Sequence, residues 1–257
     1  MRSKPSITTR FLPGLITLVS AVVLWEICVR LFQISPILLP SPSTVWVEFW
    51  KMPSFFLYNA GVTLVVTLAG FFLAAVFGIL LAVVIVSSKT LERPVFSALV
   101  ALNSVPKVAL APLFVVWMGI GPEPKIAIAV MLAIFAIVID TVLGLRSVDP
   151  DMINLARVGR ASAWQILTKV RLPCALPSIF AGLKVAISLA LIGAIIGEFV
   201  GSSSGLGFAI LTAQGQFDTP GLFVSLALLI AMGSLLFNLM EGIERLSIPW
   251  HTSVRSH

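Results

Sequence analysis

Apolar residues gather in six long runs: Phe11–Phe32, Gly61–Val86, Pro94–Gly119, Ile126–Leu145, Ser178–Val200 and Leu222–Leu246. About 20 apolar residues in a helix cover a hydrocarbon layer of ~30 Å, so the pattern predicts six transmembrane helices over 11–32, 61–86, 94–119, 126–145, 178–200 and 222–246. The polar intervals contain no linker of the kind that separates domains, and no internal repeat stands out. The chain reads as one all-α membrane domain over residues 1–257. The start, "MRSKPSITTR" followed by an apolar run, has the look of a secretory signal. The run continues through Glu26 to Phe32 with no small-residue cleavage site, which makes it an uncleaved first span.

Composition agrees with this pattern and removes some alternatives. The chain is 58% hydrophobic and 11% charged, where a soluble domain carries about 25% charge. Its net charge of +6 needs no acidic partner or nucleic acid, because the basic residues are sorted by side. With the N-terminus in the cytoplasm, twelve of the 17 Lys and Arg fall in inner segments, and only Arg30, Lys51 and Lys125 lie outside. That asymmetry places both termini inside. Cys28 sits in an apolar run and Cys174 in a basic segment, so a reduced pair is expected.

The connections differ in character. "LLPSPSTVWVEFW", within Gln33–Ala60, ends in an amphipathic stretch whose Trp46 and Trp50 suit an interfacial helix on the outer surface. "GSSSGLGF", Gly201–Phe208, reads as a flexible turn. The inner connection 146–177 is far longer than joining two spans requires. Asp149 caps a helix that Pro150 opens, and Asp151 sits at the positive end of its dipole. Gly159 is where that helix ends. Ser162 and Gln165 form a capping box for a second helix, and Pro173 and Pro177 close it and open the fifth span. The result is a helix–turn–helix with a small tip, suited either to bracketing the bundle or to docking in a groove on a cytoplasmic partner.

This segment resembles the EAA loop of binding-protein-dependent ABC importer permeases, EAA-x3-G-x9-I-x-LP. The spacing sets Asn154-Leu155-Ala156 at EAA, Arg160 at the glycine and Val170-x-Leu172-Pro173 at I-x-LP. Asn154 and Leu155 replace Glu and the first Ala, and a glycine comes one residue early as Gly159. "LLPSPSTV", "VPKVALAPLFVVWMGIGPEPKI", "GLRSVDPDM", "LPSIFAGLK", "GEFVGSSSGLGF" and "ERLSIPWH" are similar to blocks of the nitrate/sulfonate/taurine branch, in its order, across roughly residues 25–251.

The resemblance implies a type I ABC importer permease fold in a bacterial inner membrane and a homodimer of permease chains. It also implies a cytoplasmic ABC ATPase dimer holding ATP and Mg, and an extracytoplasmic solute-binding protein. A coupling helix at about Pro150–Ser162 would dock into the ATPase, with Asn154, Ala156, Arg157, Gly159, Arg160, Ala161 and Ser162 as its coupling residues. The chain carries no G-x-x-x-x-G-K-[ST] phosphate loop, and no cofactor is expected in it. The branch handles small anions such as nitrate, sulfonates and taurine, and relatives carry thiamine-precursor heterocycles.

Ionisable groups within spans are the remaining candidates. Glu26 and Arg30 are helical neighbours and read as a structural pair. Lys184, near the inner end of span five, reads as a snorkelling residue. Lys107 lies mid-span between Pro106 and Pro112, where broken helices face protein or a water-filled cavity. Its ammonium would attract an anion, or pair with Asp140 of span four. Glu198 would either line the path or anchor the following glycine-rich turn. Gly193, Gly197 and Gly201 form a small-residue ridge for close packing, within the chain or between subunits. An ion-coupled secondary transporter using Lys107, Asp140 and Glu198 is the rival reading, but it leaves the EAA-like loop unexplained. A membrane enzyme has no support: both histidines, His251 and His257, lie in the tail, and no acid–base or metal constellation is present.

Overall fold

The computed structural model describes residues 7–87, 94, 97–98, 101 and 105–249, and among them every regular element is helical. In chain order these are α1 (Ile7–Leu31), α2 (Pro42–Lys51), α3 (Pro53–Ser87), α4 (Ala111–Met118), α5 (Pro122–Arg146), α6 (Pro150–Val158), α7 (Ala163–Gly201), α8 (Leu206–Gly215) and α9 (Thr219–Ser247). A 3-10 turn, Lys107–Leu110, leads into α4. Among the described residues α3, α5, α7 and α9 are long and apolar enough to cross a membrane. They carry the expected second, fourth, fifth and sixth runs, and the first run lies in α1. Seven positions of the third expected run, 95–96, 99–100 and 102–104, lie outside the described residues. Its described end is broken at Pro106, as proline requires.

Two boundaries differ from the sequence expectation. Pro173 and Pro177 do not close one helix and open another, because α7 runs unbroken through both. A π turn at Leu167–Arg171 absorbs the disruption, with Leu172 N donating to Leu167 O, five residues back. The expected flexible turn, Gly201–Phe208, is shorter than its sequence suggests, because its last three residues already belong to α8, Leu206–Gly215.

The core interleaves alanines with large aliphatic and aromatic side chains. Ala129, Ala133 and Ile137 of α5 meet Ala186, Ile187 and Ala190 of α7, and Phe71 and Ala74 of α3 close one side. Leu206 and Ile210 of α8 and Leu229, Met232 and Leu236 of α9 complete it. With lipid outside, little hydrophobic force drives such helices together, so close packing of small residues does. A Cβ at Gly193 would lie 2.6 Å from Ala129 Cα, and one at Gly197 2.8 Å from Lys125 Cα. The glycine ridge is therefore spent on α5 of the same chain, with Gly201 facing Val115 of α4. It is not a free surface for a second subunit.

Two polar ties fix the flanking helices. The Glu26 carboxylate accepts from Arg30 Nε at 2.5 Å, Ser43 N at 3.0 Å and Ser43 Oγ at 2.8 Å. The expected i,i+4 pair thus also fastens the first turn of α2 to α1. Lys184 Nζ reaches Glu244 Oε2 of α9 at 2.7 Å, a partner 60 residues away that the local sequence does not reveal. Cys28 and Cys174 are both free thiols.

Candidate functional site

Two polar assemblies sit at opposite ends of α7, whose 39 residues span roughly 58 Å at about 1.5 Å per residue. At its start stands α6. Asp149 Oδ1 accepts from Asp151 N at 2.8 Å, and Pro150 takes the first helical position. The expected capping box closes the next helix: Gln165 N donates to Ser162 Oγ at 3.2 Å and Ser162 N to Gln165 Oε1 at 2.8 Å.

The helix ends at Gly159 as expected, and the left-handed residue of the turn is the next one. Gly159 keeps φ −73°, and Arg160 takes the left-handed conformation at φ +57°. Arg160 N donates to Arg157 O at 2.9 Å and Ala161 N to Ala156 O at 3.0 Å. This is the Schellman pattern, with Arg160 at the position that normally takes glycine. It is also the residue that spacing aligned with the motif's glycine. A left-handed L residue costs about 1–2 kcal/mol. Arg160→Gly is therefore expected to stabilise the tip by about 1 kcal/mol after glycine's entropy cost. Hydrogen exchange at the Ala161 amide should slow roughly five-fold.

The seven candidate coupling residues form one surface patch. Asn154, Arg157, Gly159, Arg160 and Ser162 are exposed, while Ala156 and Ala161 are half-buried beneath them. Two residues outside the candidate set stand out: Leu155 is 75% and Val158 83% exposed on a polar-flanked helix. The amphipathic spacing of α6 contains that signal, since both point away from Ile153 and Ala156. Trp164, also exposed, lines a groove of about 460 Å³ with Ile153, Arg157 and the end of α3.

At the far end of α7, Glu198 is 1% exposed. Thr63 Oγ1 of α3 lies 2.8 and 3.0 Å from its two carboxylate oxygens, and Gly207 N donates to Oε2 at 2.7 Å. Leu206 N donates to Thr63 Oγ1 at 2.8 Å, and Gly205 N to Asn59 Oδ1 at 2.7 Å. The first amides of α8, which has no cap of its own, are thus held by side chains of α3 and α7. Gly205 sits at φ +110°, a backbone that admits little else. Of the two roles weighed for Glu198, the geometry is that of an anchor for the turn. Asn59 and Thr63 were not singled out, although Asn59, Thr63 and Thr67 repeat at four-residue spacing along an otherwise apolar run.

Lys107 and Asp140 lie elsewhere. Lys107 Nζ stands 4.7 Å from the centroid of the Phe135 ring, a cation–π arrangement. It borders a cavity of about 360 Å³ with Leu132, Ala136 and Leu189. Asp140 packs against α7 at Gly182, where a Cβ would lie 2.8 Å from Asp140 Cβ. Glu198 is 16 residues further along that helix, roughly 24 Å away. The three candidates do not form one constellation, which removes the geometric basis for a single ion-coupling site.

Comparison with known proteins accounts for this architecture. Residues 74–245 match the family of binding-protein-dependent transport system inner membrane components. The chain is 35% identical over 229 residues to the formylaminopyrimidine transport permease protein ThiX of Halalkalibacterium halodurans, covering 89% of this chain and 91% of that one. It is 29% identical over 247 residues to the taurine transport system permease protein TauC of Escherichia coli, covering 93% and 90%. Its fold matches an inward-facing structure of the MetNI methionine ABC transporter with TM-score 0.68 at 23% identity, over 76% of this chain and 97% of that one. The chain belongs to the binding-protein-dependent transport system inner membrane components, and is a multi-pass inner-membrane permease subunit of an ABC importer.

Proposed function

We propose that two copies of this chain, each a single domain of six spans with both termini in the cytoplasm, form a path for a small solute. In this reading α6 and its turn seat in a cytoplasmic ATPase dimer, which holds the ATP and Mg. A solute-binding protein delivers cargo to the opposite face. The observation that carries the reading is α6 itself, a capped helix with a fixed left-handed turn whose outer face exposes Leu155 and Val158. Exposed apolar residues on a polar-flanked helix are the pattern of helix-in-groove recognition.

For cargo, Lys107 beside its cavity favours a small anion of the sulfonate, taurine or nitrate kind. A heterocycle such as a thiamine precursor is the second reading. The name of the 35%-identical relative favours it, and so does the Phe135 ring under Lys107, which offers a stacking face. Uptake of labelled taurine by vesicles containing the permease, its ATPase and its binding protein tests the choice. For an anion, Lys107→Met should lower uptake about ten-fold or more, with binding-protein affinity unchanged. Unaltered uptake by Lys107→Met would remove the lysine from the path.

A further inference from the structure

Lys125 looks like an outer topology residue in the sequence, yet it is only 6% exposed. Its one hydrogen bond among the described residues runs from Nζ to Ser202 Oγ at 2.7 Å. An ammonium has three donors, so two remain. Ser202 Oγ in turn donates to Ser204 O at 2.5 Å and accepts from Ser204 N at 3.2 Å. Glu198, the buried acid on the adjoining stretch of α7, already accepts from Thr63 and Gly207.

Lys125 lines a cavity of about 650 Å³ between α3, the Gly121–Pro122 turn and the Ser202–Ser204 turn, with Tyr58 and Ser203 on its rim. α5 opens on Pro122 and Pro124, which carry no N–H, so its first turn adds few backbone donors and the polar groups of the cavity are side chains. Glu123 is the other titratable group of this turn; it is exposed and folds back over Gly121. A buried cation with spare donors and the hydroxyls of Tyr58 and Ser203 converge on one cavity within the size range of small-molecule sites.

We propose that this cavity is an oxyanion site, taking a sulfonate, carboxylate or phosphate group on Lys125 and the neighbouring hydroxyls. Two sources offer that chemistry: the acid group of a soluble cargo, and the headgroup phosphate of an anionic lipid. The cargo source rests on the anion reading given under Proposed function, and the lipid source does not. The site is separate from Lys107. It lies beside the last turn of α7, where the connections that face the binding protein in this reading converge.

The test is the thermal midpoint of the detergent-purified transporter, followed by tryptophan fluorescence. Methanesulfonate is compared with chloride at equal ionic strength, and phosphatidylglycerol with phosphatidylcholine. At saturation the oxyanion should raise the midpoint by about 2–4 °C, and Lys125→Met should abolish the rise. Ser203→Asp, which adds a negative charge at the rim and leaves the Lys125–Ser202 bond in place, should abolish it too. That variant keeps the test alive if loss of the lysine prevents folding. A rise with methanesulfonate assigns the soluble source, and a rise with phosphatidylglycerol alone assigns the lipid. No rise with either, or an equal rise in both variants, overturns the site. ATPase copurification should be intact in both variants, so failure here is separable from failure of the importer reading.

Discussion

A chain carrying Leu155→Lys and Val158→Lys is expected to insert and fold normally and to lose ATP-driven uptake by at least about 100-fold. Neither side chain is buried within the chain, at 75% and 83% exposure, so the fold loses little. Lysine is a good helix former, and a positive charge near the C-terminus of α6 suits its dipole. The cost falls on docking. An unpaired ammonium pressed into a partner's groove costs several kcal/mol, and each ~1.4 kcal/mol is a factor of ten in association. Uptake into vesicles, read beside an unchanged thermal midpoint, checks both halves of this expectation.

Glu198→Ala should act in the opposite manner, on stability first. The substitution removes the acceptor of Gly207 N in a site that is 1% exposed, while Thr63 Oγ1 keeps Asn59 O at 3.2 Å. The orphaned amide costs about 1–3 kcal/mol, and the emptied volume adds to that. A loss of roughly 3 kcal/mol or more follows, seen as a lower thermal midpoint and faster exchange of the α8 amides. Glu198→Gln retains a carbonyl oxygen and should lose less. A stable Glu198→Ala protein with no uptake would instead mean that the carboxylate acts on cargo.

What the sequence disclosed was whatever is decided locally. The cap at Asp149, the Ser162–Gln165 box and the Glu26–Arg30 pair depend on residues within four positions, and all are present. What it concealed is decided by neighbours distant along the chain. α8 has no cap of its own and is held by Asn59, Thr63 and Glu198 from two other helices. Lys184 is paired by Glu244, and Lys125 is buried against Ser202. The prolines at 173 and 177 misled for another reason: proline predicts a break, whereas a π turn lets α7 continue. Arg160 is the subtlest case. Gly159 marks the end of α6 and is its C-cap, while motif spacing marks the next position, the one that takes φ +57°.

Docking of α6 on a separate motor is tested most directly by a detergent pull-down of this chain expressed with its native neighbours, wild type beside Leu155→Lys/Val158→Lys. An ATP-hydrolysing protein is expected to copurify with the wild type and to be lost from the folded variant. Equal recovery of that ATPase with both chains would contradict it.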